Sequence, residues 1–431
     1  MIDRFSCWLE RVGERRVLLV IAVVSLVVQL LALRPPEIYG EPYLIAKNIV
    51  AGFGYVFTYP FTTAPHQTCY IPPLYTFLQV PFLYFGLGER GIQVMNLLFL
   101  QAACFFIYRF YRQFVTSGTS VLIFACVSFY IPFWILSYSL EPNSLNILLL
   151  VLTIDRLYRI VKKPSRKIWV QFGVLLGVQL WLRPDIMLGF AFFAAWLLLF
   201  AKQKMGDKIK GLALASAVAL LMISPWTIRN YVLFHRFVLV SANSGMNLYI
   251  GNNSIATGEL SELPSTPESR REDGDIQAYA KTHDAVDIDQ YRLHLAEQWM
   301  LGHPKEVLAL DLKKFMYHWF GRDEIGMQYH YGYGVLKGLY RSITILLIGF
   351  GLFGLVRLKD RELKTLIVTV FLYSTAVSTI FFVQTRHRAL KVDPFLVSFA
   401  AIGVASLVQT ARKRIPEPKP SEAAVVLTET T

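Results

Sequence analysis

Long apolar runs separated by short polar breaks dominate the chain. Runs near 17–34, 91–110, 119–138, 142–160, 168–183, 185–201, 211–228, 335–356, 365–383 and 394–410 each approach the roughly 20 apolar residues that cross a bilayer. The pattern predicts an all-α polytopic membrane protein with about ten transmembrane helices. Two stretches differ. Residues 229–333 are mixed polar and acidic and hold no such run, so they predict a small, mostly helical extracytoplasmic domain. The expected division is a transmembrane module over 1–228, that domain over 229–333, C-terminal spans over 334–411 and a disordered cytoplasmic tail over 412–431.

Shorter patterns fall between the runs. Leu44, Ile45, Ile49 and Val50 lie at helical spacing, with Pro42 in a first turn and Gly52 and Gly54 suited to its end. They predict a membrane-surface helix starting at Glu41, inside an outer loop over 35–90. Residues 71–86 are apolar but short and broken by Pro81, which predicts a second surface helix rather than a span. In the polar domain, Ile288, Tyr291, Leu295 and Trp299 share a helical face, and Asp287 with Gln290 resembles a capping box. A further helix is expected from Pro304 toward Phe320, and 254–284 is expected to be a mobile loop.

Composition agrees with the pattern. The chain is 54% hydrophobic and 17% charged over 431 residues, with mean hydropathy +0.43. The net charge of +13 comes from Lys and Arg clustered in short breaks, such as Arg156, Arg159, Lys162, Lys163, Arg166 and Lys167. That is the positive-inside pattern, and it argues against a nucleic-acid partner. It predicts both termini in the cytoplasm, with an uncleaved first span. The four cysteines are scattered without a CxxC spacing, so neither a disulfide framework nor a zinc site is indicated.

With this topology, Glu41-Pro42, Glu141-Pro142, Arg183-Pro184-Asp185 and Asp393-Pro394 all fall at outer helix ends. The residue before a proline is pushed out of the helical region, which places its side chain at a helix mouth. Charges mark span ends in many membrane proteins, but here the inner ends carry almost only Lys and Arg, while the outer ends pair acids with bases. Two carboxylates and several bases at one surface suit transfer from a phosphate-linked donor. A carboxylate takes the proton of an attacking hydroxyl, and Arg holds a phosphate leaving group.

Glu41-xxx-Ile45-Ala46 with Gly52-Phe53-Gly54-Tyr55, Pro72-Pro73-Leu74-Tyr75, Leu140-Glu141-Pro142, Leu182-Arg183-Pro184, Ser224-Pro225-Trp226 through Tyr231, and Gly245 through Asn252 stand in this order. The series resembles the bacterial GT-C glycosyltransferases, specifically the protein O-mannosyltransferase-like (family 39) and aminoarabinose-transferase-like enzymes. The resemblance implies an inverting single displacement from a polyprenyl-phosphate-linked sugar, at the outer face of the bacterial plasma membrane. It implies Glu41 as general base and Glu141 as its supporting acid, with Arg183, Arg229 and Arg388 as phosphate or sugar contacts. The family usually carries Asp in the first loop, so Glu37 competes with Glu41 for the role. Arg386-His387-Arg388 through Asp393-Pro394 resembles the family's late outer loop, but the family usually has Pro where this chain has Lys391, which leaves the register of that loop open.

His66 and Tyr75 complete the candidate substrate contacts, although a solvated loop and an interface anchor are the plainer readings of the two. His318, Trp319 and Arg322 are expected to pack the outer domain on the membrane. No cofactor is implied, and no metal-ligand pattern is present. The acceptor (glycan, lipid or protein) is left open, as is the rival reading of a flippase for a lipid-linked glycan.

Overall fold

The computed structural model describes residues 12–36, 40–58, 66–259, 267–321 and 334–414. Helices make up almost all of it. In the transmembrane module they are α1 (Glu14–Leu31), α2 (Glu41–Val50), α3 (Pro73–Tyr84), α4 (Gly88–Tyr111), α5 (Ser117–Ser128), α6 (Ile131–Tyr138), α7 (Asn143–Lys162), α8 (Arg166–Leu182), α9 (Ile186–Phe200) and α10 (Met205–Phe234). The polar segment after α10 holds α11 (Ser244–Gly251), α12 (Pro267–Ala280), α13 (Ala285–Gly302) and α14 (Pro304–Phe320). The C-terminal part holds α15 (Gly334–Arg357), α16 (Arg361–Ile380), α17 (Thr385–Lys391) and α18 (Asp393–Arg414). One short antiparallel ribbon joins β1 (Val56–Phe57) to β2 (His66–Gln67), pairing Val56 with Gln67 and Phe57 with His66.

Among the described residues, α4, α10, α16 and α18 as far as Ala411 are long and apolar enough to cross a membrane, and α5 with α6 makes a fifth as a bent pair. The expected run over 119–138 is therefore not one straight helix. It breaks at Phe129 and Tyr130 and turns by 43°, because Pro132 at the start of α6 has no N–H to continue α5. The apolar helix α9 has 15 residues. α7 ends in a charged segment carrying Asp155, Arg156, Arg159 and Lys162, as a helix end leaving the apolar layer does.

Helices form where the pattern predicts them in the first loop. α2 starts at Glu41 and ends in Gly52 and Gly54, both with positive φ. α3 spans Pro73–Tyr84 with Pro81 inside it. α14 matches its expected bounds. Two expectations are corrected. Residues 267–280 are helical rather than loop: Tyr279 stacks on Tyr291 of α13, and Tyr249 donates to Glu272 at 2.8 Å. The cap of α13 is Asp284, which accepts from the backbone of Val286 and Asp287. Asp287 instead pairs with Arg236, so the capping box gives way to an ion pair between elements.

The core is apolar and continuous. It runs through α4, α5, α7, α8, α9, α10, α16 and α18. Where α15 meets α18, a Cβ at Gly354 would lie 1.9 Å from the Phe399 carbonyl. Only glycine admits so close an approach, the usual device for packing helices in a lipid-compatible layer.

Candidate active site

The site is built from helix junctions at one end of the bundle. Among the described residues, the α6–α7 turn has the most elaborate support. Breaking the helix there leaves the carbonyls of Tyr138, Ser139 and Leu140 without intrahelical donors, a costly state in an apolar layer. Three amide side chains take them. Gln93 donates to Tyr138 O at 2.7 Å, Asn96 to Ser139 O at 2.8 Å and Gln79 to Leu140 O at 2.9 Å. Tyr75 in turn donates its hydroxyl to Asn96 Oδ1 at 2.8 Å, and it is almost wholly buried. Glu141 is the next residue in the chain, so its position is fixed by α3 and α4.

Glu141 rests on the start of α2. A Cβ at Gly40 would lie 2.0 Å from Glu141 Oε1. Gly40 caps α2 and offers no side chain of its own, and the Glu141 carboxylate occupies the space a capping side chain would fill. The positive end of the helix attracts it there. Glu41, in the first turn of the same helix, is partly accessible and makes no hydrogen bond or ion pair with a described side chain. Two carboxylates thus share one helix mouth.

The bases come from two other junctions. Arg183 ends α8, and its guanidinium lies 3.5 Å from Asp185 at the start of α9. Arg386 stands on α17, which packs against α6, α7, α14, α16 and α18. Arg386 and Arg183 both lie within electrostatic reach of Glu141. Burial pushes the Glu141 carboxyl up to about 7; Arg386 opposes that rise, Glu41 adds to it and Arg183 opposes it. Burial also raises the cost of the Asp185 charge, yet Lys391 and then Arg183 hold its carboxyl below the usual range. Lys391 ion-pairs with Asp185 directly. Glu41, Glu141, Arg183, Asp185 and Arg386 are all partly accessible, so they border space that solvent reaches rather than a sealed core.

The structure brings Glu41, Glu141 and Arg183 together and distributes the other candidates around them. Tyr75 supports the α6–α7 turn. Arg388 is only 2% exposed in an ion pair of 3.0 Å with Asp393, which is 0% exposed, and it also donates to Trp319 O at 3.1 Å. Its place is inside the protein wall, and Arg386 stands nearer the carboxylates. Arg229 sits on α10, stacks on Trp226 at 4.4 Å and donates to Thr68 O at 2.9 Å. It ties the first loop to the bundle. His66 is exposed on β2. His318 and Trp319 pack against α16 through Ser374 and Thr375. Glu37 and Arg322 lie outside the described residues. Arg386 and the three amides were not singled out by sequence reasoning. The available signal was Gln79, Gln93 and Asn96 within apolar stretches, since polar groups at membrane depth rarely lack a task.

Among the described residues, no group of three or more His, Cys, Asp or Glu could hold a metal ion. What these groups can do is take a proton on a carboxylate and neutralise an anion with two guanidinium groups.

Residues 71–228 match the family described as dolichyl-phosphate-mannose-protein mannosyltransferase. The matched stretch holds Tyr75, the three amides, Glu141, Arg183 and Asp185. No curated protein sequence matches the chain. Among solved structures, the chain is similar to the oligosaccharyltransferase of Archaeoglobus fulgidus in its apo form, with 12% identity and a TM-score of 0.52 over 97% of this chain and 54% of that one. It is also similar to the same enzyme tethered to an acceptor peptide containing the NVT sequon, with 12% identity and a TM-score of 0.54 over 94% of this chain and 51% of that one. At that identity the likeness is one of fold. The chain spans about half the length of those structures. The GT-C resemblance read from the motifs is borne out, in a helical protein with membrane-spanning helices.

Proposed function

We propose that this protein is a glycosyltransferase that moves a sugar from a polyprenyl-phosphate donor to an acceptor hydroxyl by an inverting single displacement. The observation that carries the reading is that Glu41 and Glu141, at one helix mouth, lie within electrostatic reach of Arg183 and Arg386 from two other junctions. Glu41 takes the proton of the acceptor hydroxyl. The acceptor oxygen bonds to the anomeric carbon as the bond from that carbon to the phosphate oxygen breaks. The electron pair leaves with the polyprenyl phosphate, whose added charge Arg386 and Arg183 neutralise. Such preorganised charge commonly supplies the largest share of a rate enhancement.

Glu141 adds to the base. Ionised, its carboxylate is a second negative charge beside Glu41 at the place where the acceptor proton arrives. The exposed apolar residues of α1, Leu19, Val20, Val23, Val24 and Leu31, offer a surface for the lipid chain beside the module.

The cleft faces the outside of a bacterial plasma membrane in this reading, with about ten spans and both termini in the cytoplasm. The outer segment, α11 to α14, covers the cleft and takes part in choosing a glycan, lipid or protein acceptor. The test is the release of polyprenyl phosphate from a labelled donor by purified protein. Arg386→Gln is expected to slow release more than tenfold and to raise the donor KM. Release unchanged in both Arg386→Gln and Arg183→Gln would contradict the reading.

A further inference from the structure

α4 and α7 carry a second polar cluster at their other ends. At ~1.5 Å per residue, Arg109 lies roughly 24 Å along α4 from Gln93, and Arg159 lies roughly 24 Å along α7 from Asn143. That length covers most of a ~30 Å hydrocarbon core, so the cluster sits at the membrane boundary opposite Glu41 and Glu141. A cavity of about 140 Å³ opens there between the two helices.

Arg109, Arg156, Arg159 and Asp155 make up its polar side. Asp155 accepts from Arg159 at 2.8 Å and lies 3.4 Å from Arg156. Three guanidinium groups against one carboxylate leave a local excess of positive charge. Arg109 has no hydrogen bond or ion pair with a described residue. The plainer account is that basic residues complement the negative ends of helices. It covers Arg109 and Arg159, each in the last turn of its helix. It does not explain why Arg156 joins them around one cavity, nor the other wall. That wall is apolar: Phe106 and Phe110 from α4, Val151 and Leu152 from α7.

Positive charge on one side and apolar walls on the other match one class of ligand at a membrane boundary. We propose that the cavity binds the headgroup of an anionic phospholipid. Arg109 and Arg156 meet the phosphodiester, for which a guanidinium offers paired donors. The two phenylalanines, Val151 and Leu152 receive the glycerol and the first acyl carbons. A zwitterionic headgroup brings its own ammonium toward the arginines and fits less well. Free phosphate lacks the apolar half.

The probe is native mass spectrometry of the purified protein with phosphatidylglycerol, phosphatidylcholine and inorganic phosphate at matched concentrations. Wild type is expected to retain phosphatidylglycerol over the other two. Arg109→Gln is expected to weaken that retention about 5-fold, the scale of one basic residue at an anionic lipid surface. Arg109 is exposed and unpaired among the described residues, so this variant leaves the fold intact. Lys167→Gln, an exposed basic residue of α8 outside the cavity, is expected to change nothing. Retention equal in Arg109→Gln and wild type, or reduced as much in Lys167→Gln, would overturn the proposal. Equal retention of phosphatidylcholine or inorganic phosphate would do the same.

Discussion

Glu41 and Glu141 share a helix mouth but differ in what surrounds them. Burial raises the Glu141 carboxyl to about 7, and its carboxylate rests on Gly40, while Glu41 makes no hydrogen bond or ion pair with a described side chain. If Glu41 is the base, Glu41→Gln lowers transfer by about 100-fold or more, the usual share of general-base catalysis, and leaves donor binding in place. Steady-state kinetics separate the two. Glu141 predicts the pH dependence. Transfer in the wild type is expected to rise as pH passes through about 7, and Glu141→Gln is expected to flatten that rise. The same residue acts on stability with a definite sign. Its folded value lies above the ordinary 4.5, so the stability it contributes is full below 4.5 and is lost as pH climbs through about 7. Thermal unfolding across that range should show the decline in wild type and a shallower one in Glu141→Gln. Gly40→Ala tests the contact itself, because its methyl group would fall on the Glu141 carboxylate. A large loss of transfer with little loss of folded protein is the expected result.

At the scale of elements, the α6–α7 break is held open by side chains rather than by its own backbone. Asn96→Leu leaves the Ser139 carbonyl and the Tyr75 hydroxyl without their partner. The cost should be about 1–3 kcal/mol, read as a fall in the detergent unfolding midpoint, with transfer falling further because Glu141 moves. The helices themselves were largely legible in the sequence. Prolines at first turns and glycines at ends mark α2, α3 and α14, since these residues act through local backbone geometry. Two features were not legible. The 267–280 stretch is poor in apolar residues and reads as loop, yet it is held as a helix by Tyr249 and Tyr291 from neighbouring elements. The bend between α5 and α6 reads as a continuous apolar run, because hydropathy registers length and not direction.

The whole molecule shows why the acids were easier to find than their partners. Glu41, Glu141, Arg183 and Asp185 each stand beside a proline at a junction, so a local rule points to them. Arg386 and Arg388 lie two residues apart on one short helix, and no local rule says which faces the cleft. Packing decides it: Asp393, Tyr130 and the Trp319 carbonyl enclose the Arg388–Asp393 pair where α17 meets α14, α18 and the α5–α6 break. Removing one member of a buried pair costs about 3–5 kcal/mol. Arg388→Leu is therefore expected to lower stability severely, whereas Arg386→Gln lowers transfer with the fold retained. Equal effects of the two on folded yield and on transfer would contradict the assignment of a wall to one and the cleft to the other.

The central claim is that a carboxylate in this cleft drives transfer of a lipid-linked sugar. The most direct measurement is transfer from radiolabelled polyprenyl-phosphate sugars by purified protein in liposomes, with wild type beside Glu41→Gln. Transfer to an acceptor in wild type, lost in the variant, is the predicted result. Full transfer in Glu41→Gln would contradict the account, as would intact lipid-linked glycan carried across the bilayer with no transfer from any donor.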